Sequence, residues 1–213
     1  MARRRMNYYV PCDDAIKVMD KEIVDLFGRL KMTKWDNVSI VRTVVNVYND
    51  SYRKARKHYY DIAYEVYILV CMMMLDMDHK KSRVMADKAI TMKWVDKILE
   101  QTDFVTLYRF GNETERKAYR LAEQLEVTPD RNRAIDKAMR DWSRQVGQYA
   151  ITFTDEAVVQ AFKDAGVKRV QWLTEEDERT CVACSELHGM EFPINEVPAK
   201  PHYGCRCSLK PVW

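Results

Sequence analysis

The chain has 213 residues, of which 47% are hydrophobic and 31% charged, and its formal net charge is +3. That apolar content excludes a disordered chain, and the near balance of charge excludes a protein whose whole surface wraps nucleic acid. A chain of this size holds one sizeable core with a small appended module, or two modest domains.

Arg3, Arg4 and Arg5 make the start basic, but Asn7, Tyr8, Tyr9 and Pro11 follow where a signal peptide would place its apolar core. A beginning in a reducing cytosol is therefore expected. Asp13 or Asp14 can cap a first helix, whose apolar residues Ile16, Met19, Ile23, Leu26, Phe27 and Leu30 fall at helical spacing. Asp36 can cap a second. From about Val38 toward Met74 the apolar positions mostly recur three or four apart, and no glycine or proline interrupts them. This predicts one long helix or two. Its most apolar stretch, Val66 to Leu75, lies between Glu65 and Asp76 and falls short of the roughly 20 residues a membrane helix needs, so no membrane partner is expected.

Ser82 to Gln101 repeats the helical pattern through Met85, Ala89, Met92, Val95 and Leu99. Gly111 breaks the series, and Asn112 with Glu115 resembles a capping box for a helix carrying Ala118, Leu121, Ala122 and Leu125. Thr128-Pro129-Asp130 signals another start, ahead of Ile135, Ala138, Met139, Trp142 and Val146. Thr154 offers one more start, with Gly166 as its stop, and the alternation from Val167 to Trp172 predicts a short strand. Beyond about residue 170 prolines accumulate, at 193, 198, 201 and 211. Composition thus separates a helical body from an irregular terminal module.

Four of the six cysteines lie in that module. Cys181-Val-Ala-Cys184 and His202-Tyr-Gly-Cys205-Arg-Cys207 form two close-spaced groups of soft ligands joined by one loop, the pattern that converges on a tetrahedral Zn²⁺. Five ligands exceed the four a structural zinc takes. The expected set is Cys181, Cys184, His202 and Cys207, with Cys205 as the substitute. The alternative is cysteines that are free, or paired in a metal-free fold. His188 is a further candidate ligand, although a turn histidine beside glycine is more often exposed. Trp172 is expected to pack the module against the last helix, rather than to stack on a base. Asp177 and Arg179 are expected to make turn and supporting bonds near the first cysteine pair, or a plain surface ion pair.

From Gly166 through Trp172, Asp177, Arg179, Cys181 and Cys184, then Leu187-His188-Gly189 and Pro201-His202-Tyr-Gly-Cys205-Arg206-Cys207, the chain resembles the terminal signature of the Mu F-like phage head morphogenesis proteins. Tyr203 stands where that family usually has proline. The resemblance implies a low-copy minor capsid protein, placed in the virion at the phage head or portal vertex and in the host cytoplasm during assembly. It implies portal and major capsid partners, a contact with packaged DNA, and no small-molecule substrate. Enzymatic chemistry is not implied by it, and the chain is not expected to be an enzyme. No His-x-Glu precedes Cys181, and Thr180 takes the place of the proline in the zinc-deaminase signature.

Two basic clusters remain, Arg3 to Arg5 and the run Arg53, Lys54, Arg56, Lys57 and His58. Both are candidates for phosphate contact, and a solvated helix face is the other reading. Met72 to Met74 gives an adaptable apolar segment, more often core than groove. The expected fold is mainly α, with a helical, partner-docking body over residues 1–128. A Mu F-like domain follows at 129–213, with a small α+β zinc-knuckle-like module at 170–213. The expected function is that of a minor structural protein of a phage head, associated with the portal and acting in assembly and in genome packaging or delivery. The alternative is a zinc-containing DNA-binding regulator or nuclease accessory protein.

Overall fold

A computed structural model describes residues 7–35, 39–101, 113–202, 205 and 207–213. The architecture is mainly helical with a small C-terminal sheet. A 3₁₀ turn at Asn7–Tyr9 leads into α1 (Val10–Lys31), followed by α2 (Ile40–Met74), α3 (His79–Ala89), α4 (Met92–Gln101), α5 (Glu113–Val127) and α6 (Arg131–Asp164). Strand β1 (Arg169–Leu173), helix α7 (Val182–Leu187), β2 (Glu191–Pro193) and β3 (Ser208–Val212) complete the chain.

Several element bounds differ from the expectations, each for a local reason. α1 starts before Asp13, because Pro11 in a first turn sacrifices no intrahelical bond. The long second segment is one helix of 35 residues, and Ser39 sits at its start with Oγ 3.4 Å from the Arg42 N–H. The proposed cap Asp36 lies outside the described residues, as do Gly111 and Asn112. The Ser82 to Gln101 pattern divides in two. Asp78 caps α3 by accepting from the Lys81 N–H at 2.9 Å, and Ile90 takes an extended conformation with its N–H still bonded to the Ala86 carbonyl. Ile90 is itself buried, so the break preserves its apolar burial while turning the backbone.

At the next start Asp130, rather than Thr128, serves the helix: its carboxylate accepts from the Arg133 N–H at 3.0 Å, and Pro129 lies before the helix. Thr154 starts nothing. It lies inside α6, buried, with its hydroxyl donating to the Ala150 carbonyl at 3.0 Å, so the polar side chain is satisfied by the preceding turn. Gly166 does end the helical run. Its φ of +80° is a left-handed conformation suited to glycine, and the Val167 N–H reaches back to the Phe162 carbonyl at 3.0 Å.

The described chain divides into two compact units. One takes the described residues of Ala15–Tyr60 and Met92–Tyr149. Its core contains Trp142, fully buried, which donates from Nε1 to the Ser51 hydroxyl at 2.8 Å. Edge-to-face rings extend from Trp142 to Tyr48 (5.0 Å) and on to Phe27 (5.2 Å). The other takes the described residues of Met1–Asp14, Asp61–Thr91 and Ala150–Trp213.

This second unit contains the sheet, ordered β2-β1-β3 and antiparallel throughout. Val170 and Trp172 on β1 are buried while Arg169 and Gln171 are not, the period-two pattern of a strand with one face on a core. Trp172 pairs with Leu209, and Val170 pairs with Phe192 on one side and Pro211 on the other. Pro211, which has no N–H to give, sits on an edge strand. Gly189 (φ +77°) turns the chain into β2 and donates to the Trp172 carbonyl at 2.8 Å.

Candidate metal centre

The start of α7 presents the first ligand pair. Cys181 is the N-cap in an extended conformation, and its sulfur accepts from the Cys184 N–H at 3.4 Å. An N–H aimed at sulfur favours thiolate, and it lowers the Cys181 thiol from its ordinary value, with His202 acting the same way. The x-x spacing matters because a helical N-terminus gives both its cap side chain and the residue three later to one side.

The loop between β2 and β3 brings the second group to the same place. Cys184 Sγ lies 3.5 Å from His202 Nε2 and 3.6 Å from Cys205 Sγ. Tetrahedral zinc with Zn–S of about 2.3 Å and Zn–N of about 2.05 Å separates two sulfurs by about 3.8 Å, and a sulfur from a nitrogen by about 3.5 Å. The ligand atoms of Cys181, Cys184 and His202 all fall within 4.8 Å of one another, as do those of Cys184, Cys205 and Cys207. The five side chains singled out from the sequence therefore meet as two triplets that share Cys184. A cavity of about 20 Å³, room for one water-sized occupant, is lined by Cys181, Cys184, His202 and Cys207, with Thr180 and Arg179 beside them.

The electrostatics suit a cation. Burial pushes the Cys184 thiol up to about 12. Cys207 is raised too, first by its hydrogen bond to Cys205 and then by burial. Cys205 is pushed down to about 5, chiefly by that same bond from Cys207, with the Lys200 ammonium assisting. One thiolate thus forms readily while two buried thiols resist ionising, an arrangement that a divalent cation resolves by binding thiolates directly. The buried Trp172 indole N–H has no nitrogen or oxygen partner, and its nearness favours the thiolate form of Cys207. An orphaned donor beside a sulfur fits a coordinated thiolate better than a neutral thiol.

The other sequence candidates take supporting positions. His188 stands outside both triplets: its Nδ1 accepts from the Thr174 N–H at 3.2 Å and lies 2.8 Å from the Thr174 hydroxyl, while Nε2 is 3.8 Å from a Glu176 oxygen. Asp177 is a turn former. Its carboxylate accepts from the Arg179 N–H at 3.1 Å and the Thr180 hydroxyl at 3.3 Å, which sets the chain entering Cys181.

Sequence reasoning missed the side chains that brace the second ligand group. Lys200 is almost buried, with 7% of its side chain exposed. It donates to the Tyr9 hydroxyl at 3.1 Å and to the Cys207 carbonyl, and stands 3.5 Å from Asp155 Oδ1. Its ammonium also lies over the rings of Trp172 (5.1 Å) and Tyr9 (5.5 Å). The Tyr9 hydroxyl donates to Asp155, and the Tyr8 hydroxyl accepts from the Leu209 N–H at 3.2 Å on β3. Burial raises the Asp155 carboxyl above its ordinary value, against the opposing pull of Lys200 and Tyr9.

The basic run on α2 is largely neutralised within its own unit. Arg56 forks onto Asp96 at 2.6 and 2.7 Å, Lys54 and His58 reach Glu22 at 3.3 and 3.2 Å, and Arg53 bonds Asp50. Tyr59 is buried and donates to the Val146 carbonyl at 3.1 Å. Arg3 to Arg5 lie outside the described residues. Met72 and Met73 are exposed, so they are not core. Cys12 and Cys71 are buried and stand apart from the ligand cluster.

Residues 110–210 match a family model described as Phage Mu protein F like protein. No curated protein and no solved structure matches the chain.

Proposed function

We propose, from the match of residues 110–210 to the Mu F-like family model, that this chain is a minor structural protein of the virion that associates with the portal. In this reading it contacts portal and major capsid proteins, assists head assembly, and acts in packaging or delivery of the genome. The helical region ahead of the matched residues supplies the docking surface, and the matched region runs into the metal module at 170–213. The observation that carries the reading is the family match, which runs through both ligand groups of the cysteine cluster.

The cluster's part is structural. Cys181, Cys184 and His202 with Cys207 or Cys205 would hold Zn²⁺, whose chemistry here is to bind thiolates and imidazole and so tie α7 to the segment leading into β3. The chain performs no catalytic step in this reading. A zinc-containing DNA-binding regulator or nuclease accessory is the alternative, and the internal pairing of the α2 basic run gives it little support.

Co-expression with the portal protein of the same genome tests the proposal. A complex of defined mass ratio at moderate salt is the expected result. A folded, zinc-loaded chain that ignores the portal yet binds duplex DNA with steep salt dependence would overturn it in favour of the alternative.

A further inference from the structure

α5 and α6 form a helical hairpin, and the cleft on one side of it is basic. On α5, Lys117, Arg120 and Gln124 are spaced three and four apart, so they share one face; Lys137 and Asp141, four apart, line the cleft from α6. Tyr48 lies at the same cleft, and its ring is buried. The volume is about 190 Å³, below the roughly 300 Å³ at which pockets for drug-sized ligands begin. A single small group fits, and a large ligand does not.

The charge balance is one-sided. Three cations, Lys117, Arg120 and Lys137, face one carboxylate, Asp141. Neither Arg120 nor Lys137 has a carboxylate partner among the described residues, in contrast with the paired run on α2. Asp141 acts on Lys117, whose ammonium is nonetheless pulled below its ordinary value, first by burial and further by Arg116 and Arg120. A half-buried ammonium beside like charges, as Lys117 is, is relieved by an incoming anion.

We propose that the α5–α6 cleft is a phosphate-binding site in which Arg120 and Lys137 clamp one phosphoryl group from opposite helices, with Lys117 and the Gln124 amide completing the donors. The tetrahedral oxyanion is the group that suits donors arriving from separate directions, a guanidinium fork on one side and ammonium groups on the other. A phosphodiester of a polynucleotide and free inorganic phosphate share this chemistry. The site is separate from the cysteine cluster and does not rest on the portal reading.

The test uses the full, metal-loaded chain. Inorganic phosphate is titrated by calorimetry at constant ionic strength, with chloride as the reference, and a 20-base single-stranded DNA is followed by fluorescence anisotropy across a salt series. The variants are Arg120→Glu with Lys137→Glu, the milder Arg120→Gln with Lys137→Gln, and Asp141→Asn. Both double variants change exposed side chains, and circular dichroism checks that helix content is kept.

Saturable phosphate binding that the charge reversal abolishes, and that Asp141→Asn tightens, would establish a small-anion site. If DNA alone binds, a loss of more than about tenfold on charge reversal, with the log–log salt slope falling by roughly 0.7 to 1.4, would establish a backbone-phosphate contact. Binding of neither probe, or binding that both double variants leave unchanged, would overturn the proposal.

Discussion

Cys184 belongs to both ligand triplets, so its loss should cost the centre more than the loss of either later cysteine. Cys184→Ser is expected to purify with well under one zinc per chain and to loosen the region after residue 170 while helix content holds. Cys205→Ser and Cys207→Ser then distinguish the fourth ligand, the variant that keeps zinc marking the thiol that stays outside. Elemental analysis of the purified variants reads all three, and full zinc in Cys184→Ser would refute the ligand set. These cysteines were legible because ligand spacing is a local property: a cap residue and the residue three later share one side of a helix start. Lys200 was not legible. Its partner Tyr9 lies 191 residues away in sequence, and a lysine before a proline carries no sign that it will be buried between two rings and a carboxylate.

At the level of the element, apolar periodicity located the helices, and the errors concern where they start and break. Gly166 was legible as a stop because a left-handed residue after a helix favours glycine. Thr154 was misread because the same hydroxyl that caps a helix can bond the carbonyl four residues back within one, and only burial separates the two cases. The break at Ile90 has no glycine or proline to announce it. β2 and β3 were invisible for a different reason: each is short, and each pairs with β1 across an intervening loop rich in proline or polar residues. Gly166 also offers a clean measurement. A Cβ there would meet nothing within 4 Å, so Gly166→Ala carries only the backbone cost of φ +80°, about 1 to 2 kcal/mol. Chemical denaturation should show that loss, with Gly166→Asn intermediate since asparagine tolerates the left-handed region; equal stability of all three would mean that the turn relaxes.

At the scale of the whole molecule, the unit that contains the cysteine cluster is assembled from distant parts of the chain. Tyr8 supplies the hydroxyl that meets the β3 backbone at Leu209, and Tyr9 meets Asp155 of α6 together with Lys200 and the carbonyl of Cys207. The segment from 170 to 213 therefore draws its bracing from the beginning of the chain and from a long helix. Metal alone would not hold it in this form. Tyr9→Phe removes one hydroxyl from a buried network and should cost about 1 to 2 kcal/mol, because the Asp155 carboxylate and the Lys200 ammonium each lose a partner. Removal of residues 1–9 should go further. Zinc loss to a chelator should quicken, and hydrogen exchange should rise at 169–173 and 208–212. The near-ultraviolet signal of Trp142, which belongs to the other unit, should stay as it is. Unaltered zinc retention after that truncation would mean that the sheet and the ligand cluster are self-sufficient, and that Tyr8 and Tyr9 merely rest on them.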